Sequence, residues 1–171
     1  MTMNQKDTDY AKIVRDNLAK RYGITEEGDI PAHLETLMGA YKIEARRAVQ
    51  AVIQLFAEYN GIEYFPSVLD LRYMPNDTWA TVEAKLTRQV ASQSDKVLFM
   101  GTIGDQCGTI DIMVRAGAKI PDIKPGSVCR FENVVVNEYN SRKQIIVTST
   151  SKVTILQKDI PVREFKKAEA Q

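Results

Sequence analysis

Cysteine, histidine and long apolar runs are all scarce in this chain of 171 residues. Its two cysteines, Cys107 and Cys129, are too few for a disulfide framework and lack the paired spacing of a zinc site, so we expect a reducing compartment and no metal. No window approaches the roughly 18 consecutive apolar residues that a membrane helix needs, and the first ten residues lack the apolar stretch of a signal peptide. These absences predict a cytoplasmic protein with no membrane partner.

Residues suited to catalysis are also scarce. His33 is the only histidine, and no serine or cysteine lies near it in the sequence. The sequence therefore offers no nucleophile as a partner for a histidine-based triad. The glycine-containing segment GTIGDQCG (101–108) lies between two predicted strands, whereas a phosphate cradle needs a helix N-terminus after the glycines. We therefore expect a hairpin turn here, and a protein that is not an enzyme and holds no cofactor.

A strong excess of charge of one sign is missing as well. Residues 1–78 carry 9 Lys and Arg against 12 Asp and Glu, a net charge of −3, whereas residues 79–171 carry 14 against 10, a net charge of +4. The mildly basic second half permits an anionic partner, but it falls well short of domains whose charge alone indicates nucleic acid. Charge therefore only hints at the partner.

The first part of the chain shows apolar patterns with the period of an α-helix, each ended by glycine or asparagine. The expected helices are 7–21, about 31–40, and 43–59. Together they predict a small helical module at residues 1–61. The segment 62–78 loses this period and carries prolines and turn residues, so we expect an apolar linker there.

After Trp79 the apolar period changes from 3.6 residues to 2, which is typical of half-buried strands. Strands are expected from Ala80, from Val97, over 109–115, over 128–139, and from Lys143 to about Leu156. Five strands with a connector between the third and fourth fit a small Greek-key barrel of the OB type, here at residues 79–157. The predicted fold class is α+β by segregation, with a flexible tail at 158–171.

The outer surface of such a barrel is the candidate binding site. OB barrels bind single strands on the outer face of strands two and three and with the loops that join strands one to two and four to five. Phe99 and Phe131 fall on alternations assigned to the core, which leaves Tyr139 as the well-placed aromatic. Scattered Lys and Arg also fit an ordinary solvated face. The outward candidates are Lys85, Thr87, Arg88, Lys96, Met113, Arg115, Tyr139, Arg142 and Lys143.

A resemblance extends over segments 33–53, 82–115 and 123–147: each is similar to the archaeal replication protein A-like proteins, which bind single-stranded DNA. VEAKLTRQVASQSDKVLFMGTIGDQCGTIDIMVR (82–115) and IKPGSVCRFENVVVNEYNSRKQIIV (123–147) are similar to the OB domain of that family. The GDxxGTI turn and the ENVVVNEYNxRxQ hairpin are the specific parts. HLETLMGAYKIEARRAVQAVI (33–53) is similar to the helical segment that precedes the first OB domain in euryarchaeal members.

This resemblance implies a non-catalytic protein that coats single-stranded DNA in replication, recombination and repair. By position, Tyr139 matches an aromatic of the hairpin and Arg142 matches the arginine of its YNxR sequence. The chain departs from the family at Arg115, where a stacking tryptophan is common, and at Gln106 and Cys107, where an acidic residue and threonine are common. Losing one stacked base costs roughly 1–3 kcal/mol, so tight binding would need self-association or other replication protein A-like subunits.

Two other functions stay open. The chain would be a protein-interaction subunit of a replication protein A-like complex if its barrel had lost most affinity for DNA. Arg115 in place of tryptophan and the outward Asp111 favour that hypothesis, because a carboxylate in a DNA groove repels phosphates. The third hypothesis is an RNA-binding or tRNA-binding OB module, against which the helical segment 33–53 argues.

Overall fold

The computed structural model describes residues 5–25 and 28–163, with side chains from residue 9 onward. The chain divides into two compact units, Met1–Tyr64 and Phe65–Gln171. The first is helical and the second contains the sheet, which confirms the segregated α+β class.

The helical unit contains α1 (Gln5–Tyr22), α2 (Ile30–Glu35) with a π-helical turn at Thr36–Ala40, and α3 (Ala45–Tyr59). Its core is formed by apolar side chains at helical spacing, including Val14, Leu18, Leu34, Val52 and Phe56. The α3 pattern also places Tyr59 on this face, but Tyr59 is 82% exposed at the end of the helix. Within the described ranges, no helix combines the length and the apolar character that a membrane crossing requires.

Six strands form the sheet of the second unit. Their bounds are β1 (Thr78–Ala91), β2 (Val97–Asp105), β3 (Gly108–Arg115), β4 (Val128–Tyr139), β5 (Arg142–Val147) and β6 (Lys152–Ile155). The order is β1-β2-β3-β5-β4-β6, and pairing between β1 and β4 closes a five-stranded barrel with β6 as an added strand. Strands β3 and β5 are parallel, and the other paired strands are antiparallel. The predicted OB-type barrel is therefore confirmed.

The prediction of a single fifth strand from Lys143 to about Leu156 is wrong. The segment contains two strands, β5 and β6, which are separated by a turn that ends at Ser151. The Ser151 amide donates to the Thr148 carbonyl, and the Ser151 hydroxyl donates to the Asn133 carbonyl at 2.7 Å. Serine and threonine side chains compete with the strand ladder in this way, and the run TSTS supplies several of them.

Part of the segment expected to be a linker at 62–78 is a short helix of the barrel unit, α4 (Val68–Leu71). Ser67 and Asp70 cap its N-terminus reciprocally, each side chain accepting a hydrogen bond from the other's amide. Val68 and Leu71 are fully buried in the barrel core. The apolar residues of this segment therefore complete the core.

The segment 158–163, expected to begin a flexible tail, lies on the barrel. Lys158 contacts Glu83 at 2.7 Å, and the Arg163 amide donates to the Asp105 carbonyl at 2.9 Å. Ile160 is buried. The rest of that expected tail, 164–171, lies outside the described residues.

Strand β1 pairs with β4 through its first half and with β2 through its second half, so it must bend. The bend contains a bulge at Thr87, between Leu86 and Arg88. Gly101 of β2 lies against this bulge, and a Cβ atom at that position would collide with the Arg88 carbonyl oxygen. The sharp curvature of β1 therefore depends on a glycine in the neighbouring strand.

Candidate nucleic-acid interface

A row of apolar side chains crosses the outer face of the barrel at right angles to the strands. Met100 of β2 lies opposite Val90 of β1 and opposite Met113 of β3, and Met113 lies opposite Ile146 of β5. Val90 and Met100 are each 42% exposed, whereas Met113 is half-buried and Ile146 is buried. We call these four residues the apolar floor.

The alternation of the strands explains this floor. In β2 and β3 the side chains of Phe99, Ile103, Ile112 and Val114 fill the barrel core, so the residues between them point outward. The floor lies between the loop that joins β1 to β2 (92–96) and the β4–β5 hairpin. This is the place where OB domains carry their binding groove.

A polar row runs beside the floor, through Arg88, Thr102, Asp111 and Gln144 in register. The Asp111 carboxylate lies 3.1 Å from the guanidinium of Arg142 at the β4–β5 hairpin. A carboxylate on this face would repel phosphates, but the adjacent guanidinium neutralises it. The local charge of the row is therefore positive because of Arg88.

Exposed cations lie at the end of the barrel unit that contains the β1–β2 loop. We call Lys96, Arg115, Lys119 and Lys124 the basic rim. Their side chains make no hydrogen bond or ion pair within the part of the chain that the structure describes. Arg115 lies opposite Val97 at the start of β2, and Lys119 and Lys124 lie in the connector between β3 and β4. The rim is thus free to contact an anion.

The candidates at the β4–β5 hairpin lie at the opposite side of the groove. Tyr139 is 63% exposed and lies opposite Arg142 in the register. An exposed aromatic beside a guanidinium offers a surface on which a base can stack. The structure therefore places Met113 on the floor, Arg88, Lys96 and Arg115 beside it, and Tyr139 and Arg142 at the hairpin across the groove.

Lys85, Thr87 and Lys143 are bound to other parts of the barrel unit instead. Lys85 forms an ion pair with Asp159, and its hydrogen bond lowers the pKa of that carboxyl. The Lys143 ammonium donates to the Met74 carbonyl and to Asn76 Oδ1, each at 2.8 Å. The Thr87 hydroxyl donates to the Thr102 carbonyl at the bulge. These three side chains have structural contacts that compete with any ligand.

Several residues of this surface escape the sequence analysis. Trp79 of β1 is 54% exposed and lies opposite Val135, which lies opposite Ile146, so it continues the apolar row around the closed barrel. The alternation at Ala80 and Val82 already indicates that Trp79 points outward. No sequence pattern singles out Lys119 or Lys124, because their position depends on the path of the connector.

The GDQCG turn has a structural role. Asp105 is 4% exposed, and its carboxylate accepts hydrogen bonds from the Cys107 amide at 2.8 Å and from the Val68 amide at 2.9 Å. It therefore holds both the hairpin turn and the start of α4.

One of the two thiols is buried, and no cluster of potential metal ligands is found in the described ranges. Burial raises the pKa of Cys129 to about 11, which keeps its thiol protonated and unreactive at neutral pH. Within residues 5–25 and 28–163 no group of three or more His, Cys, Asp and Glu is placed to hold a metal ion. The features that the structure brings together are a groove, cations and apolar surface.

Solved structures similar to this chain include OB domains from archaea and a DNA-binding protein. The OB domain (residues 67–166) of MM0293 from Methanosarcina mazei is 28% identical with a TM-score of 0.50, over 54% of this chain and 84% of that one. The OB domain of Ta0387 from Thermoplasma acidophilum is 20% identical over 50% of this chain and 81% of that one, with a TM-score of 0.38.

A murine DNA-binding protein bound to double-stranded DNA is 15% identical with a TM-score of 0.48, over 64% of this chain and 54% of that one. No family model and no curated protein matches the chain. Together, the topology and the M. mazei domain establish an OB fold.

Proposed function

We propose that this protein binds single-stranded DNA on the apolar floor, without catalysis, in replication, recombination or repair. The observation that carries the proposal is the partly exposed apolar floor with Arg88, Lys96 and Arg115 beside it, on the face that OB domains use for single strands. Unpaired bases need apolar or aromatic surface, and their phosphates need cations. The resemblance of segments 82–115 and 123–147 to replication protein A-like proteins supports the same assignment.

The residues divide into two roles. Arg88, Lys96 and Arg115 bind phosphates, and the Arg115 guanidinium is also planar enough to stack on a base in place of the family's tryptophan. Met100 and Met113 contact base faces through their polarisable thioethers, and Tyr139 stacks a base at the far side. A duplex hides its base faces, so this groove favours single strands.

A protein-interaction subunit with little affinity for DNA is the second candidate, and Asp111 favours it. That carboxylate lies in the middle of the polar row, where a phosphate chain would be repelled. Its ion pair with Arg142 weakens the objection. Self-association and binding to other replication protein A-like subunits stay predictions, as does a cytoplasmic location.

Fluorescence anisotropy of a labelled oligo-dT of about 30 nucleotides tests the proposal, with a duplex of equal length and an RNA oligomer as competitors. We expect binding to the single strand that weakens steeply with salt, because bound phosphates release counterions. Binding absent at tens of micromolar protein and low salt would refute DNA binding and favour the interaction subunit. Stronger competition by RNA would favour an RNA-binding module.

A charge-matched pair of variants locates the binding face. Replacing Arg88, Lys96 and Arg115 by alanine should lower affinity at least tenfold at moderate salt. It should also reduce the slope of log K against log salt by about 2, since each phosphate contact on a single strand contributes roughly 0.7. The control replaces Arg15, Arg47 and Lys12, exposed residues of α1 and α3, by alanine. Equal losses in both variants would mean that net charge, and not this face, drives binding.

A further inference from the structure

A cleft opens at the β1–β2 end of the apolar floor, between that hairpin and the connector that leads from β3 to β4. Its volume is about 580 Å³, within the range of roughly 300–1,000 Å³ that is typical of small-molecule sites. Its lining residues are Gln89, Ala91, Leu98 and Phe99 from the hairpin, and Ile120, Pro121, Asp122 and Ile123 from the connector. We call it the connector cleft.

The connector cleft has an apolar interior and a polar edge. Phe99 and Ile123 form its buried part, being 5% and 4% exposed, and Leu98 is a wall that is 48% exposed. Gln89 and Asp122 are exposed and supply an amide and a carboxylate at the opening. This combination suits a flat ring with apolar faces and hydrogen-bonding edges.

Charge around the cleft favours an anionic ligand that carries such a ring. Lys119 and Lys124 flank the connector residues that line it, and Lys96 and Arg115 lie beside the start of β2. The exposed acids of the same region are Asp95 and Asp122, so cations outnumber them. A nucleotide has this chemistry, because its base is apolar on both faces and its phosphate is negative.

The connector cleft lies next to the apolar floor along β1 and β2, on the other side of these strands. Ala91 and Phe99, which line the cleft, are opposite one another in the register, and the next pair along the strands is Val90 and Met100 of the floor. The residues of the floor and those that line the cleft are therefore one position apart along each of the two strands. Because Val90 and Ala91 point to opposite sides of β1, a base must leave the stack on the floor to enter it.

We propose that the connector cleft binds one unstacked nucleobase of a DNA strand that lies on the apolar floor. This inference rests on the proposed function and deepens it, because a captured base excludes duplex at this end of the groove. The phosphates on either side of that base contact the basic rim.

Ala91→Phe tests the inference by filling the cleft from an exposed position without altering any charge. Affinity is measured for an oligo-dT and for an all-abasic oligomer of the same length, which keeps the phosphates and lacks the bases. We expect Ala91→Phe to weaken oligo-dT binding about tenfold, as for the loss of one base contact, and to leave binding of the abasic oligomer unchanged. The matched control is Ala51→Phe, at an exposed position of α3.

Leu98→Gln provides a second variant that removes the apolar wall instead of filling the cleft. It should show the same selective loss, and thermal melting checks that each variant is folded. If Ala91→Phe lowers the melting temperature, the test depends on the binding of the two oligomers by Leu98→Gln. Unchanged oligo-dT binding in a folded variant, or equal losses of affinity for both oligomers, would overturn the proposal that the cleft binds a base. Either result would leave the proposed function intact. A wild-type protein that binds neither oligomer would overturn both.

Discussion

Gly101 controls the curvature of the barrel at the scale of a single residue. A Cβ atom there would meet the Arg88 carbonyl oxygen, which belongs to the backbone of the β1 bulge and cannot rotate away. Gly101→Ala should therefore lower the free energy of unfolding by about 1–3 kcal/mol, as other overpacked substitutions do. Urea denaturation followed by circular dichroism measures this loss.

Gly117 offers the matched control for that substitution. The nearest atom to a Cβ at Gly117 is the Ser149 Cβ at 3.9 Å, an ordinary contact. We expect Gly117→Ala to change the free energy of unfolding by less than about 0.5 kcal/mol. Equal effects at the two glycines would show that the bulge yields and that Gly101 is not required for close approach.

Single side chains also mark how far the sequence predicts the site. Alternation correctly assigns Phe99 and Phe131 to the core, because the period of a strand is a local property. It cannot show that Lys143 is occupied, since its partners Met74 and Asn76 lie 69 and 67 residues away along the chain. The direction of a side chain can therefore be predicted from the sequence. Whether that side chain is free to bind a ligand cannot be predicted.

At the scale of elements, β3 places the Asp111 carboxylate in the groove, and Arg142 of β5 neutralises that carboxylate. Asp111→Asn keeps the shape of the side chain, removes its charge and releases Arg142 to contact phosphate. We expect the affinity for oligo-dT to rise about two- to tenfold at low salt, with stability changed by less than about 1 kcal/mol because exposed ion pairs contribute little. Anisotropy titrations at two salt concentrations measure the change.

Asp16→Asn is the control, since Asp16 is exposed on α1 and the change in charge is the same. It should raise the affinity far less than Asp111→Asn. If the two substitutions have equal effects, or if Asp111→Asn has none, the strand of DNA does not pass over β3.

The strand order can be predicted from the sequence. The meander of β1, β2 and β3, the connector between β3 and β4, and the β4–β5 hairpin leave few ways to close a small barrel. The break between β5 and β6 cannot be predicted, because it depends on Ser151 reaching the Asn133 carbonyl 18 residues away. The buried helix α4 cannot be predicted from the sequence for a related reason. Four residues carry too short a pattern to distinguish a helix from an apolar loop, and only the barrel core that receives Val68 and Leu71 defines it.

At the scale of the whole molecule, the two units have separate cores. The apolar cluster of the helical unit and that of the barrel unit have no residue in common. Each unit therefore contains its own hydrophobic stabilisation, which is the usual condition for independent folding. We expect residues 65–171 alone to unfold in a single cooperative transition, measured by thermal melting and by urea denaturation.

The same fragment tests which unit binds DNA. Residues 65–171 hold 15 Lys and Arg against 12 Asp and Glu, whereas residues 1–64 hold 8 against 10, so removing the helical unit removes net negative charge. If the barrel face is the whole site, the fragment should bind oligo-dT with an affinity within about threefold of that of the full chain. A folded fragment that binds a hundredfold more weakly would instead show that the helical unit supplies DNA contacts or joins several barrels on one strand, since linked sites gain about 10² to 10⁴ in overall affinity.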